Sequence, residues 1–311
     1  MPATLLIASA VVFLSITFGR LPGDSMLLKM CQNTLHTALF GIFSFFALRY
    51  LRTTVSRSRT PGSTYLLVAA LCAAIGIATE SAQWLTGRGF GSVDIVRDAA
   101  GVILGTGLYA LIDQTKTGAL LVSGAGLRRT LIGLLCCVLL AAIYPLTSLS
   151  WHYVLRNNDF PVIMDPYAQW ATTFVGTNRA SITLSSENCG TRQAELSLEP
   201  TAYPGIALLE PYPDWRNYRY LTFTLESRQP ETFSMTLRIN DTAHNDEYDD
   251  RYNQALTIAP GSNTYRIPLK EIIHGPRNRK LDIGDICGLQ LFARDLTRPQ
   301  QVCVSAMKLE N

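Results

Sequence analysis

The first half of the chain alternates long apolar runs with short polar ones, and the second half switches to short segments of alternating character. Five runs, at about 3–19, 30–48, 64–85, 94–112 and 130–149, are nearly free of charge. A bilayer core is crossed by roughly 20 mostly apolar residues in a helix, so this pattern predicts five transmembrane helices. The fourth run carries Asp94, Arg97 and Asp98 at its start. After Trp151 the period changes to that of strands, at Ser181–Leu184, Ala194–Leu198, Tyr220–Leu225, Phe233–Ile239, Ala255–Ile258, Thr264–Ile267, Gly288–Phe292 and Gln301–Lys308. Phe233-Ser-Met-Thr-Leu-Arg-Ile alternates as a half-buried strand does. Turn-rich stretches such as Tyr212-Pro-Asp-Trp-Arg-Asn and Pro260-Gly-Ser-Asn separate the runs. The expected architecture is an α-helical membrane bundle over 1–151, a linker at 152–161, and an all-β jelly-roll-type sandwich over 162–311.

Charge sharpens this division. Residues 1–150 carry 11 Lys/Arg and 5 Asp/Glu, against 16 and 19 in the remainder, so the halves are +6 and −3. No basic face stands out, which excludes nucleic acid as a partner. Arg49, Arg52, Arg57 and Arg59 lie between runs two and three, and Lys116, Arg128 and Arg129 between runs four and five. The positive-inside rule puts these loops in the cytoplasm. The amino terminus is then cytoplasmic, and the C-terminal half lies outside, in the periplasm or extracellular space. Met1–Thr4 has no basic side chain and Gly19-Arg20-Leu21-Pro22 is a poor cleavage site, so the first run is expected to be a retained helix rather than a signal peptide.

With that topology, six polar residues from three helices converge near the outer side: His36, Glu80, Gln83, Arg88, Asp94 and Asp98. Ionisable groups within spans usually face a bundle interior or an aqueous cavity. Taken singly, each has a plainer reading. His36 fits a hydrogen-bonded interior position, Asp94 a helix N-cap, and Arg88 the lipid headgroups. As a set they predict an outward-opening polar pocket. Gly101 and Gly105, one Gly-x-x-x-Gly unit, would let two helices approach closely.

The run Glu80-Ser-Ala-Gln83-Trp-Leu-Thr-Gly87-Arg88, followed by Asp94-Ile-Val-Arg-Asp98-Ala-Ala-Gly101-Val-Ile-Leu-Gly105, resembles the VanZ family signature. That signature has a Glu-x-x-Gln pair, a Gly-Arg loop and an Asp-x-x-x-Asn-x-x-Gly-x-x-x-Gly helix, preceded by an Asp-Lys-x-x-His element. Here His36 stands for the last of these, Gln32 and Asn33 replace its Asp and Lys, and Asp98 replaces the Asn. The resemblance covers roughly residues 20–115 and implies a bacterial cell-envelope protein of the inner membrane. It supplies no reaction.

The outer half resembles galactose-binding-like, carbohydrate-binding sandwich modules. The resemblance rests on Asp214-Trp-Arg-Asn-Tyr-Arg-Tyr-Leu-Thr-Phe, Arg238-Ile-Asn-Asp-Thr-Ala-His, Asp250-Arg-Tyr-Asn and Pro260-Gly-Ser-Asn-Thr-Tyr-Arg-Ile-Pro-Leu. The loop from Asn240 to Asn253 gathers carboxylates, amides and a tyrosine, which suits sugar hydroxyls, a structural Ca²⁺ or simply solvent. Trp215, Asp241, His244, Tyr248, Asp250 and Arg251 are the glycan-binding candidates, with Trp215 equally suited to a core. Two carboxylates at unknown separation do not by themselves make a hydrolase. No zinc spacing, nucleotide loop or esterase elbow occurs, so no cofactor is expected beyond that possible Ca²⁺. Cys31, Cys72, Cys136 and Cys137 fall in spans, while Cys189, Cys287 and Cys303 allow one disulfide in three ways.

The expected partners are membrane lipids and a glycan, cell-wall polymer or lipid-linked precursor. The sandwich would recruit the glycan, and the membrane pocket would engage a polar or lipid-linked headgroup. Two alternatives differ in class. One is a membrane transferase or hydrolase using Glu80 or Asp94 as base and Arg88 against phosphate. The other is a structural scaffold.

Overall fold

The computed structural model describes residues 25–55, 61–85, 92–113 and 124–311, with Thr4 and Ile7. Apart from Thr4 and Ile7, the expected first span lies outside the described residues, as does Arg88. The chain divides into two compact units, Met1–Ser150 and Trp151–Asn311.

In the first unit, helix α1 (Met26–Tyr50) begins where the Ser25 hydroxyl accepts the Leu28 N–H at 3.2 Å. It ends in a π-helical turn, Leu51–Val55. Helices α2 (Pro61–Leu85) and α3 (Ser92–Ile112) follow, and α4 (Ala125–Asp159) crosses the unit boundary. Each of the four is long and apolar enough to cross a membrane. Leu66, Leu71, Val96, Leu108, Leu134 and Leu140 point outward rather than into a core. Exposed apolar surface of this extent is costly in water. The core of the bundle is small and centres on Phe40, Leu48, Val68 and Cys72. Gly101 and Gly105 press α3 onto α1. A Cβ built at Gly105 would fall 2.0 Å from the Gly41 carbonyl oxygen, and one at Gly101 would fall 2.3 Å from that of Thr37. The Gly-x-x-x-Gly spacing therefore performs the close packing it predicts.

The second unit holds two antiparallel sheets. One has seven strands, ordered β1 (Val162–Met164), β12 (Met307–Glu310), β6 (Tyr220–Ser227), β11 (Gln300–Val304), β4 (Ala194–Leu198) and β3 (Ala180–Thr183), with β9 (Gly261–Pro268) also paired to β6. The other has five, ordered β2 (Val175–Asn178), β5 (Gly205–Leu209), β10 (Ile286–Ala293), β7 (Phe233–Asp241) and β8 (Tyr252–Ile258). Period-2 burial in β7 puts Met235, Leu237 and Ile239 inside, and Leu289 and Leu291 of β10 join them. From the seven-stranded sheet Leu196, Leu221, Leu225 and Val302 supply the rest of the core.

Several boundaries differ from expectation. Six α-helices are described rather than five, because α5 (Ala171–Phe174) and α6 (Leu269–Ile273) are single turns within the sandwich, too short to show a helical period. Strands β1, β2 and β5 add to the eight expected, and the last expected strand splits at Ser305, whose hydroxyl accepts the Thr224 N–H at 2.8 Å. Residues 152–159, expected as linker, are the final turns of α4. They are held by side chains of their own unit: Arg156 stacks on Tyr153 and Phe174, at 4.8 and 4.9 Å, and donates to the Glu210 carbonyl. Asp159 accepts the Trp170 indole N–H at 2.6 Å. Among the three cysteines of the second unit, Cys189 and Cys303 form the disulfide and Cys287 stays free.

Candidate functional site

The strand register places a set of polar and aromatic side chains on the outer face of the five-stranded sheet. One rung across the sheet runs Asn253, Arg238, Gln290, Ala207 and Gly176, and the next runs Ala255, Thr236, Phe292, Gly205 and Asn178. Residues on the same rung, and alternate residues along a strand, share a face. All of these except Gly176 and Ala255 line a cleft of about 550 Å³, whose walls include Tyr203, Tyr248, Arg251 and Arg294. A Cβ at Gly205 would lie 2.3 Å from the Leu291 carbonyl oxygen and 2.6 Å from the Phe292 Cβ, so only glycine lets the floor stay closed there. From β5 to β8 the floor spans three inter-strand steps, roughly 14 Å.

The aromatic walls stand at opposite ends of this floor. Tyr248 is 58% exposed and rides on a 3₁₀ turn, Tyr248–Asp250, in the β7–β8 loop. Asn253 fastens the turn by donating to the Tyr248 carbonyl at 3.1 Å, and the Arg251 guanidinium sits 5.5 Å from the Tyr248 ring centre. Tyr203, 52% exposed, packs edge-on to Phe292 at 6.0 Å. Its carbonyl accepts the Asn178 amide at 2.8 Å.

The remaining residues of that loop support it rather than face the cleft. Asp241 is fully buried and accepts two bonds from Arg279, at 2.6 and 2.7 Å, and the Asp282 N–H at 2.8 Å. Asp250 accepts from Arg279 Nε and Nη2 and from the Asn245 N–H at 3.0 Å. The bonds from Arg279 hold the Asp250 carboxyl at about 2. Burial pushes Asp241 up, but its hydrogen bonds from Arg279 and Asp282 outweigh that and leave it below the usual carboxylate range. Arg279 is raised in return. A Ca²⁺ shared by Asp241 and Asp250 would compete with this guanidinium for the same oxygens. Buried His244 contacts Asp250 through Nδ1, at 3.1 Å to the carbonyl and 3.3 Å to the carboxylate. Its Nε2 lies 3.4 Å from Arg238 Nη2.

Trp215 is 0% exposed and donates its indole N–H to the Tyr212 carbonyl at 2.7 Å. It is core, and a sugar cannot stack on it. Of the six sequence candidates, Tyr248 and Arg251 therefore line the cleft, Asp241, His244 and Asp250 brace them from behind, and Trp215 is elsewhere. The sequence reading missed Tyr203, Arg238, Gln290, Phe292 and Arg294. The one available signal was the solvent-facing half of the alternation in β7 and β10, which any exposed strand face would share.

In the helical unit, His36 Nδ1 lies 3.7 Å from a buried Asp98 carboxylate oxygen. Gly76 of α2 comes close enough that a Cβ there would lie 3.0 Å from the other oxygen. Glu80, 1% exposed, is one turn further along the same face of α2. His36, Glu80 and Asp98 are all buried. Asp94, one turn before Asp98 in α3, pairs at 2.5 Å with Arg97, a residue the sequence reading left out of the pocket. Gln83 lies in α2 near that end.

No family model and no curated protein matches the chain. Among solved structures it is similar to a family 11 carbohydrate-binding module from Clostridium thermocellum in complex with a β-1,3-1,4-mixed-linked tetrasaccharide. The identity is 17% over 48% of this chain and 94% of that one, with a TM-score of 0.38. A family 30 carbohydrate-binding module of a cellulosomal cellulase of the same organism matches at 15% identity, over 44% of this chain and 90% of that one, with a TM-score of 0.33. An exo-β-agarase matches at 14% identity over 48% of this chain but only 24% of that one, with a TM-score of 0.38. At these values the likenesses decide nothing about function, which is argued from the side chains of the cleft.

Proposed function

We propose that the protein is a multi-pass membrane protein of the bacterial cell envelope whose C-terminal sandwich binds a glycan or envelope polymer in the cleft of its five-stranded sheet. Its amino terminus would face the cytoplasm and the sandwich the periplasm or the extracellular space, as the Lys/Arg loop asymmetry favours. The observation that carries the proposal is the combination of a long open floor, exposed Tyr203 and Tyr248 at its two ends, and amide side chains between them. Aromatic faces suit the apolar faces of sugar rings, and Asn178, Asn253 and Gln290 each offer a donor and an acceptor to hydroxyl groups. Recruitment of a polymer needs these groups and no catalytic pair. The polar region of His36, Glu80 and Asp98 would engage a lipid-linked headgroup from within the bundle, since buried ionisable groups in spans usually mark a ligand path.

The test is binding of the full-length protein, in lipid nanodiscs, to an array of envelope and plant polysaccharides. Retention of at least one polymer, lost on Tyr248→Ala with the fold intact, is the expected result. A failure of every glycan to bind, or binding indifferent to Tyr248 and Tyr203, would count against the proposal.

A further inference from the structure

Several arginines elsewhere in the sandwich have carboxylate partners. Arg279 holds Asp241 and Asp250, Arg216 pairs with Asp214 at 2.6 Å, Arg192 with Asp165 at 3.0 Å, and Arg277 with Asp249 at 2.9 Å. The cleft departs from this habit. Arg238, Arg251 and Arg294 line it, and among the described residues none of its lining side chains is acidic. The Nε atoms of Arg238 and Arg251 are buried without a hydrogen-bond partner. What Arg238 does contact is no carboxylate: the Gln290 side-chain amide oxygen at 3.4 Å and His244 Nε2 at 3.4 Å. Burial and the repulsion of Arg251 pull the Arg238 guanidinium below its ordinary range, and burial does the same to Arg251, with Asp246 offsetting part of each shift. Asp246 itself stands at the rim with its side chain 99% exposed, where solvent screens it.

Two half-buried cations whose charges repel, in a cleft lined by no carboxylate, are an incomplete arrangement. A guanidinium only donates, so its fitting partner is a group that only accepts. Hydroxyls of a neutral sugar carry no charge and leave the repulsion in place, whereas an oxyanion in the cleft offsets it and accepts from the guanidinium groups that line it. We propose that the cleft selects glycans carrying oxyanionic groups, such as uronic acid carboxylates, sulfate esters or phosphodiesters, with Arg238 and Arg251 as the anion-recognising pair. This rests on the glycan-binding reading above and specifies the class of sugar.

The experiment compares binding of the full-length protein in nanodiscs to polygalacturonate, to the same polymer methyl-esterified, to dextran sulfate and dextran, and to polyacrylate. Measurements are made at about 0.15 M salt, where nonspecific surface attraction is screened. The expected result is at least one acidic glycan held more tightly than its neutral counterpart, with the preference reduced about tenfold in Arg251→Gln and in Arg238→Gln. The exposed Arg294→Gln is the third variant, because it tests the same preference at a position where folding is not at stake. Equal binding of the esterified and free polymers, or of dextran and dextran sulfate, overturns the charge inference and leaves the glycan reading standing. Equal competition by polyacrylate, which has charge but no sugar rings, overturns the glycan reading instead. No binding by any of the five overturns both.

Discussion

Arg279→Ala is the perturbation that most sharply separates the bracing of the cleft from its lining. Arg279 holds Asp241, whose side chain is 1% exposed, and Asp250, which carries the turn presenting Tyr248. Removing one partner of a buried ion pair costs ~3–5 kcal/mol, because the other charge is left unpaired. The Arg279 side chain is 26% exposed and Asp241 keeps the Asp282 N–H, so the lower end applies, ~3 kcal/mol, or ~6–12 °C in Tm for a unit of this size. Fluorescence of buried Trp170 and Trp215 reports the transition. The acid dependence gives a second reading of the same contacts. The folded-state pKa values of Asp250, at about 2, and of Asp241 are both depressed. Their contribution is therefore complete above the ordinary carboxylate value of about 3.9 and is lost as the pH falls toward 2. The wild type should lose stability steeply between pH 4 and 2, and Arg279→Ala should lose much less over that interval. A variant that melts within ~1 kcal/mol of wild type, with an unchanged acid slope, would refute the reasoning.

Three further outcomes follow from other contacts. Gly105→Ala places a methyl 2.0 Å from the Gly41 carbonyl oxygen and should destabilise the helical unit by ~1–3 kcal/mol, read by thermal unfolding in detergent. Trp215→Ala should destabilise the sandwich by ~3–5 kcal/mol, whereas Tyr248→Ala, at an exposed position, should leave the melt within ~0.5 kcal/mol and lower glycan retention. Cys303→Ser opens a bridge spanning 114 residues and should cost ~2–5 kcal/mol, and reductant should lower the Tm of the wild type but not of the variant.

The long helices were legible because each carries a run of apolar residues that no strand sustains, and their ends moved where the Ser25 cap and a π-helical turn extended α1 and where side-chain contacts carried α4 through 152–159. Strands β6 and β7 were legible through alternation. Strand β5, Gly-Ile-Ala-Leu-Leu, is buried at three of its first four positions and has no alternation to read. The cleft was harder. Its floor comes from β2, β5, β7, β8 and β10, whose neighbours in the sheet are distant in sequence, so register alone brings Asn253, Arg238 and Gln290 onto one rung. Asp241 and Asp250 read as ligand groups in the sequence because their partner, Arg279, lies 38 and 29 residues away. Trp215 read as either core or platform, and the Tyr212 carbonyl that holds its indole N–H decides for core. In the helical unit the sequence grouped His36 with Asp98 only through their depth along separate runs, and the local i, i+3 pairing of Asp94 with Arg97 was not read from it.

Hydroxyl-radical footprinting of the full-length protein in nanodiscs, with and without the tightest-binding acidic polysaccharide, addresses the central claim at residue level. Protection of Tyr203, Tyr248 and Phe292, with Tyr265 of the seven-stranded sheet unchanged, is the predicted pattern. Protection confined to the seven-stranded sheet, or a bound polymer that leaves both Tyr203 and Tyr248 as reactive as before, would contradict it.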